Sequence, residues 1–238
     1  MSTITIEDKV ITTEYAGEPL LVNDGPLDPQ YTIPLRQSNP SEDISILRER
    51  YEQDGYLFLK GLIPRAAVQS CRESYFTHLS PTGVLEPSSQ PVEGIYNPHN
   101  NPQHFPNVGA GKPPLSDGKD ELFLKLVEKA HTEEWYLEFS RHPALMNFVK
   151  RLAGWSDDEA LLLPRSLLRN NTPVNKAIGV HYDQIFLRAG DPTSVTAWVP
   201  IGDIDRQGGG LIYLENGEIM VLSQKKYGKV LLISRCHR

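Results

Sequence analysis

The chain has 238 residues, a length that suits one large domain with a substantial buried core. Hydrophobic residues make up 39% and charged residues 23%, the balance of a soluble globular protein, and 19 prolines with 18 glycines call for many turns and favour a β-rich or α+β fold. The net charge of −6 is spread along the chain with no basic cluster of the kind that neutralises phosphates, so nucleic acid is not an expected partner.

The first ten residues mix Glu7, Asp8 and Lys9 with β-branched residues instead of the basic start and apolar run of a signal peptide. No apolar run in the sequence is long enough to span a bilayer, so the expectation is a soluble, cytoplasmic protein with no membrane partner. Cys71 and Cys236 fit neither a disulfide framework nor a zinc-finger spacing, which agrees with a reducing compartment.

Residues 1–40 are rich in Pro, Asn, Asp and Gly and read as an N-terminal arm packed over the domain, with a short strand at residues 10–15. From Ser41, taken as an N-cap, Ile44, Leu47 and Tyr51 recur at helical spacing until Asp54-Gly55. Residues 56–59 read as a short buried strand, and Lys60-Gly61 as a turn. Pro64 suits the first position of a second helix whose apolar stripe is Val68, Cys71, Tyr75 and Leu79. Residues 80–118 form a long polar loop, and helical periodicity returns over residues 122–137 and again through Leu145, Phe148, Val149 and Leu152, closed by Gly154. These helices are expected to buttress a sheet.

After residue 161 the period becomes strand-like, with runs at 161–168, 178–187, 195–201, 211–214, 219–222 and 230–234 separated by turn signals. Short strands at this spacing suggest an antiparallel sandwich or jelly roll. Within one of them lies His181-Tyr182-Asp183. Side chains at i and i+2 of a strand share a face, so an imidazole and a carboxylate spaced this way can converge on one metal ion. They are two of the three ligands of a non-haem iron(II) facial triad. A lone tripeptide of this kind is common by chance, and its bland reading is a His and an Asp on an exposed strand face.

Three motifs in order change that balance. They are residues 51–62, containing Asp54-Gly55-Tyr56 and Lys60-Gly61-Leu62; His181-Tyr182-Asp183; and residues 196–203, Thr196-Ala197-Trp198-Val199-Pro200-Ile201-Gly202-Asp203, running into Gly208-Gly209-Gly210-Leu211. In them the chain resembles the phytanoyl-CoA dioxygenase family, the iron(II)- and 2-oxoglutarate-dependent oxygenases built on a double-stranded β-helix, over about residues 41–216. The resemblance implies an α+β fold: a jelly-roll or cupin-like β-helix with buttressing helices. It implies that His181 and Asp183 bind Fe(2+), with 2-oxoglutarate as co-substrate and O2 as oxidant. It also implies that Trp198 lines the 2-oxoglutarate site, although a core aromatic on a central strand reads equally well there. Asp203 and the glycines look like a turn and receive no chemistry.

The likeness stops near Gly217. Family members continue into strands that carry a distal histidine and, further on, a cation for the far carboxylate of 2-oxoglutarate. Here His237 is the one downstream imidazole, and it lies beside the terminus, as do Arg235 and Arg238. Residues so placed are poorly held. The expected organisation is therefore an arm at 1–40, an incomplete oxygenase domain at 41–217 and a divergent tail at 218–238, as a truncated or alternatively spliced gene model would produce. His99 and His104 lie in the long loop and read as solvated, with a substrate contact as the alternative. His78, His131 and His142 look structural, and Arg165 and Arg169 read as a carboxylate contact or as surface charge.

The resemblance implies a dioxygenase that oxidises a C–H bond of a small organic molecule. The look of the chain is closest to fungal members that tailor secondary metabolites, which points to a polyketide-type substrate such as a citrinin precursor. A homodimer is compatible with this reading. The rival reading is a catalytically impaired β-helix that binds a small molecule or partner without turnover.

Overall fold

The computed structural model describes residues 21–22, 25–26, 32–106, 117–163, 166–172, 181, 194–204, 210–214 and 230–232. Expectations for residues 10–15 and 219–222, and for residues 178–187 apart from His181, lie outside these.

Helix α1, Ile44–Asp54, starts at Asp43, whose carboxylate accepts from the Ser45 amide and hydroxyl at 2.8 and 2.7 Å. Ser41, expected as the cap, instead donates its amide to Asn39 in a turn one step earlier (2.9 Å). An acidic side chain at the helix start satisfies orphan amides and opposes the helix dipole, so the carboxylate prevails over the hydroxyl. Gly55 closes the helix in the left-handed region, as its place in the sequence suggests. Fully buried Leu47 packs on Phe148 and Leu152 of helix α5, Pro143–Ala153, with Leu57, Leu59 and Leu62 around them. Arg48 of α1 finishes the job at the other end, its guanidinium donating to the carbonyls of Leu152 and Arg151 (2.7 and 2.8 Å) where α5 runs out of internal donors.

Helix α2, Arg65–Leu79, occupies the centre. Pro64 is its N-cap, not its first turn. Cys71, Tyr75 and Leu79 are buried as the stripe predicts, and Val68 is half-buried. The main core gathers on this stripe: Tyr75, Leu79, Val84, Phe105, Phe123, Val127, Ala130, Tyr136 and Leu168. Phe123, Val127 and Ala130 come from α3, Glu121–Ala130, and Tyr136 from α4, Glu134–Ser140.

The single helix expected over residues 122–137 is thus two. Thr132 donates its hydroxyl to the Lys129 carbonyl (2.9 Å), and Glu133 takes an extended conformation that restarts the chain. The intervening His131 bridges elements, with Nδ1 bonded to the Val127 carbonyl at 3.0 Å and Nε2 accepting from the Leu168 amide at 3.1 Å. That geometry calls for the Nδ1–H tautomer. A tertiary bond of this kind overrides helical periodicity.

The long loop is described through residue 106. Three-residue 3-10 turns at Ser80–Thr82, Pro91–Glu93 and Pro102–His104 alternate with a Leu85 to Tyr96 bridge, whose arms exchange Glu86 to Ile95 and Asn97 to Val84 bonds (2.8 and 3.0 Å). It folds back onto α2.

Strands are short. β1, Leu21–Val22, pairs antiparallel with β2, Gly25–Pro26; β4, Gln37–Ser38, lies parallel to β5, Phe58–Leu59. β5 is shorter than expected and half-buried. β7, Val230–Leu232, is the centre of a three-stranded sheet, parallel to β3, Thr32–Pro34, and antiparallel to β6, Ile212–Leu214. The arm and the tail therefore meet in one sheet, beside a Tyr56–Tyr213 ring stack at 5.3 Å. Among the described residues, 195–201 and the described part of 161–168, expected as strands, pair in no ladder. The Ile201 carbonyl accepts instead from Arg72 of α2, and the Leu168 amide donates to His131.

Two predictions follow from α2 and its surroundings. Gly94 sits at φ 58°, and a Cβ there would penetrate the Phe76 ring and the Arg72 guanidinium, whereas Gly61, at φ 71°, faces open space. Left-handed strain costs about 1–2 kcal/mol and overpacking about 1–3 more, so chemical denaturation of Gly94→Ala should show roughly twice the loss of Gly61→Ala. Burial pushes the Cys71 thiol from 9.0 up to about 12, so it stays protonated and unreactive in the folded chain. Mass spectrometry after alkylation at pH 8 should find Cys71 unmodified until the protein is unfolded. Because the folded value is raised, this contribution to stability is complete below pH 9.0 and is lost as pH climbs towards about 12; a Cys71→Ala variant lacks that alkaline loss.

Candidate functional site

Residues 173–193 carry His181 and Asp183, and the structure fixes the chain on both sides of them. On the upstream side, residues 166–172 are tied down at four points. Leu168 is buried in the core and donates to His131. Asn170 Oδ1 accepts from the Tyr75 hydroxyl at 2.7 Å, and Thr172 donates its hydroxyl to the Phe105 carbonyl at 2.6 Å. Ser166 hydrogen-bonds Tyr136. Burial raises the Tyr75 and Tyr136 hydroxyls above the ordinary tyrosine value, against the opposing effect of these bonds, so both remain neutral.

Downstream, residues 194–204 are held by two arginines of α2. Arg65 meets Asp203 with two nitrogens, at 3.1 and 3.3 Å. These bonds hold the Asp203 carboxyl below the usual carboxylate range, aided by the Arg65 and Arg72 charges and opposed slightly by burial. Both partners are more than 60% exposed, so the pair contributes only about 0–1 kcal/mol. Arg72 donates to the Ile201 carbonyl at 3.4 Å, and Ile201 packs against the main core. Trp198, three residues upstream, is half-buried.

Of the predicted ligands, His181 is exposed, while Asp183 lies outside the described residues, as do His237, Arg165, Arg235 and Arg238. The mutual geometry of His181 and Asp183 is therefore not described. Among the described residues no group of three or more His, Cys, Asp or Glu side chains stands ready to hold a metal. Asp203 and Arg169 are exposed.

The other histidines have places in the fold. His78 bonds the Leu126 carbonyl at 2.8 Å, His131 bridges α3 to Leu168, and His142 caps α5 by accepting from the Ala144 amide at 3.2 Å. His99 is exposed and donates its amide to Asn97, and His104 is half-buried at the end of a 3-10 turn. A surface depression of about 590 Å³, open to solvent, is lined by Thr132, Glu134, Leu137, Glu138, Arg141 and Pro143 and contains none of the predicted site residues. No helix among the described residues is long and apolar enough to cross a membrane.

Sequence reasoning missed Arg65, Arg72 and Asn170. The available signal was faint: two arginines seven apart on one helix, and glycines at 94 and 202 that leave room for a guanidinium.

The Tyr75 bond yields a direct test. Among the described residues Asn170 Nδ2 has no partner, so Tyr75→Phe leaves the Oδ1 of this side chain without one as well. The cost should be about 1–3 kcal/mol in denaturant, and amide exchange over residues 166–172 should accelerate while α1 and α5 are unaffected.

No protein-family model matches the chain, and no curated protein or solved structure is significantly similar to it.

Proposed function

We propose that the chain is an iron(II)- and 2-oxoglutarate-dependent dioxygenase that oxidises a C–H bond of a small organic molecule, by hydroxylation or methyl oxidation. The proposed fold for this activity is a double-stranded β-helix with buttressing helices. The observation that carries the reading is the order of three motifs: residues 51–62, His181-Tyr182-Asp183, and residues 196–203 with the glycines beyond. The first of these folds as the end of α1, the left-handed Gly55, β5 and the turn at Gly61, which fits its role as a structural lead-in.

The donor set suits the metal. A neutral imidazole and a carboxylate are the ligands iron(II) accepts in such sites, and the His181 side chain is accessible from solvent. His181 and Asp183 would hold the ion and Trp198 would border the co-substrate. When bound, iron(II) with 2-oxoglutarate and O2 supplies the oxidising power, releasing succinate and CO2 as the substrate C–H bond becomes C–OH. The chain's own task is to orient substrate and co-substrate and exclude water. The substrate class offered is a polyketide-type secondary metabolite such as a citrinin precursor, on the general look of residues 188–210.

Anaerobic iron(II) titration followed by a succinate assay tests the proposal. It expects about one iron per chain and 2-oxoglutarate turnover that His181→Ala and Asp183→Ala each abolish. Weak iron binding and no succinate from the wild-type chain would instead establish a binding protein without turnover.

A further inference from the structure

Arg72 of α2 makes three hydrogen bonds and a ring contact. Its Nε donates to the Val92 carbonyl at 2.5 Å and its Nη2 to the Glu93 carbonyl at 2.7 Å, while Nη1 reaches the Ile201 carbonyl at 3.4 Å. The guanidinium also lies over the Phe76 ring, 4.8 Å from its centroid. Three acceptors in two stretches far apart in sequence are served by one planar fork, an arrangement that a lysine ammonium cannot reproduce.

The surroundings are shaped for it. A Cβ at Gly94 or at Gly202 would fall on the guanidinium, so both neighbours carry no side chain where Arg72 passes. Burial lowers the guanidinium pKa and the Asp203 charge raises it; the group stays charged, since arginine does not deprotonate in proteins. Among the described residues, 194–204 pair in no strand ladder. Arg72, Arg65 at the exposed Asp203, and Ile201 in the core tie them to α2.

We infer that Arg72 is a positioning residue for the co-substrate wall: by holding Ile201 and Gly202 to α2 it sets where Trp198 stands. The inference rests on the dioxygenase reading. Arg72 touches no reacting atom. Each of its three nitrogens donates to a backbone carbonyl, and it acts through the three residue steps from Ile201 to Trp198, which span at most about 11 Å. Misplacing a binding group by an ångström is enough to cost up to roughly a hundredfold in rate.

The test compares the iron(II)-loaded wild type with Arg72→Lys, Gly202→Ala and Arg48→Lys. Gly202→Ala keeps Arg72 but pushes its Nη1 away from Ile201, which guards against a lysine variant that fails to fold. Arg48→Lys removes a guanidinium of α1 that, among the described residues, donates two hydrogen bonds to carbonyls at the end of α5 and none to residues 194–204. For Arg72→Lys and Gly202→Ala the expected results are a KM for 2-oxoglutarate raised roughly tenfold with kcat within about twofold, and amide exchange over residues 194–204 accelerated roughly tenfold. Arg48→Lys should change neither. Unchanged exchange and KM in the first two variants would overturn the inference, as would equal falls in activity for all three. A wild-type chain that makes no succinate removes the dioxygenase reading and this inference with it, whereas an active wild type beside an unaltered Arg72→Lys removes only the inference.

Discussion

One turn of α2 grips both sides of the stretch that carries His181 and Asp183. Tyr75 donates to Asn170 upstream of it, and Arg72, three residues earlier on the helix, donates to Ile201 downstream. Residues three apart on a helix stand side by side, so the two bonds bring Asn170 and Ile201 to neighbouring points on one surface. The two flanks of the motif are thereby held side by side. Everything proposed about the site depends on this constraint.

The constraint is only as firm as α2, and α2 is firm for apolar reasons. Cys71, Tyr75 and Leu79 are at most 4% exposed, and Tyr75 and Leu79 pack in a core drawn from α3, α4, Phe105 and Leu168. Burial of each large side chain contributes about 1.5–3 kcal/mol before entropy, well above the exposed Arg65–Asp203 pair. Hydrogen bonds to a charged group, as at Arg72, contribute about 1.5–3 kcal/mol each when desolvated. The apolar stripe thus places the helix, and the two polar side chains set what is attached to it. A second core of Leu47, Phe148 and Leu152 joins α1 to α5 and leaves this arrangement free of the N-terminal helix.

Local signals in the sequence were legible where structure is decided locally. Gly55 and Gly154 end α1 and α5, the Cys71, Tyr75 and Leu79 stripe is buried, and the apolar runs near residues 212 and 230 form strands. What was not legible depends on distant partners. The break between α3 and α4 accompanies the bond from Leu168 to His131, and β7 pairs with β3 from the opposite end of the chain. Arg72 drew no notice in the sequence because its acceptors lie 20, 21 and 129 residues away. Of the candidate site, His78, His131 and His142 read as structural and are so, whereas the anchoring of residues 166–172 and 194–204 was not legible, since their strand-like period gave no sign of partners on α2 and at His131.

The chemistry proposed here and the scaffold described are linked by the two flanks. If α2 truly governs them, they cannot loosen independently of it. Native-state hydrogen exchange as a function of denaturant is the most direct measurement, because it assigns each segment an opening free energy and a surface exposed on opening. The account predicts that residues 166–172 and 194–204 open together with residues 71–79 of α2, with matching free energy and denaturant slope. Flanks that exchange through small local openings, while α2 stays closed, would contradict it.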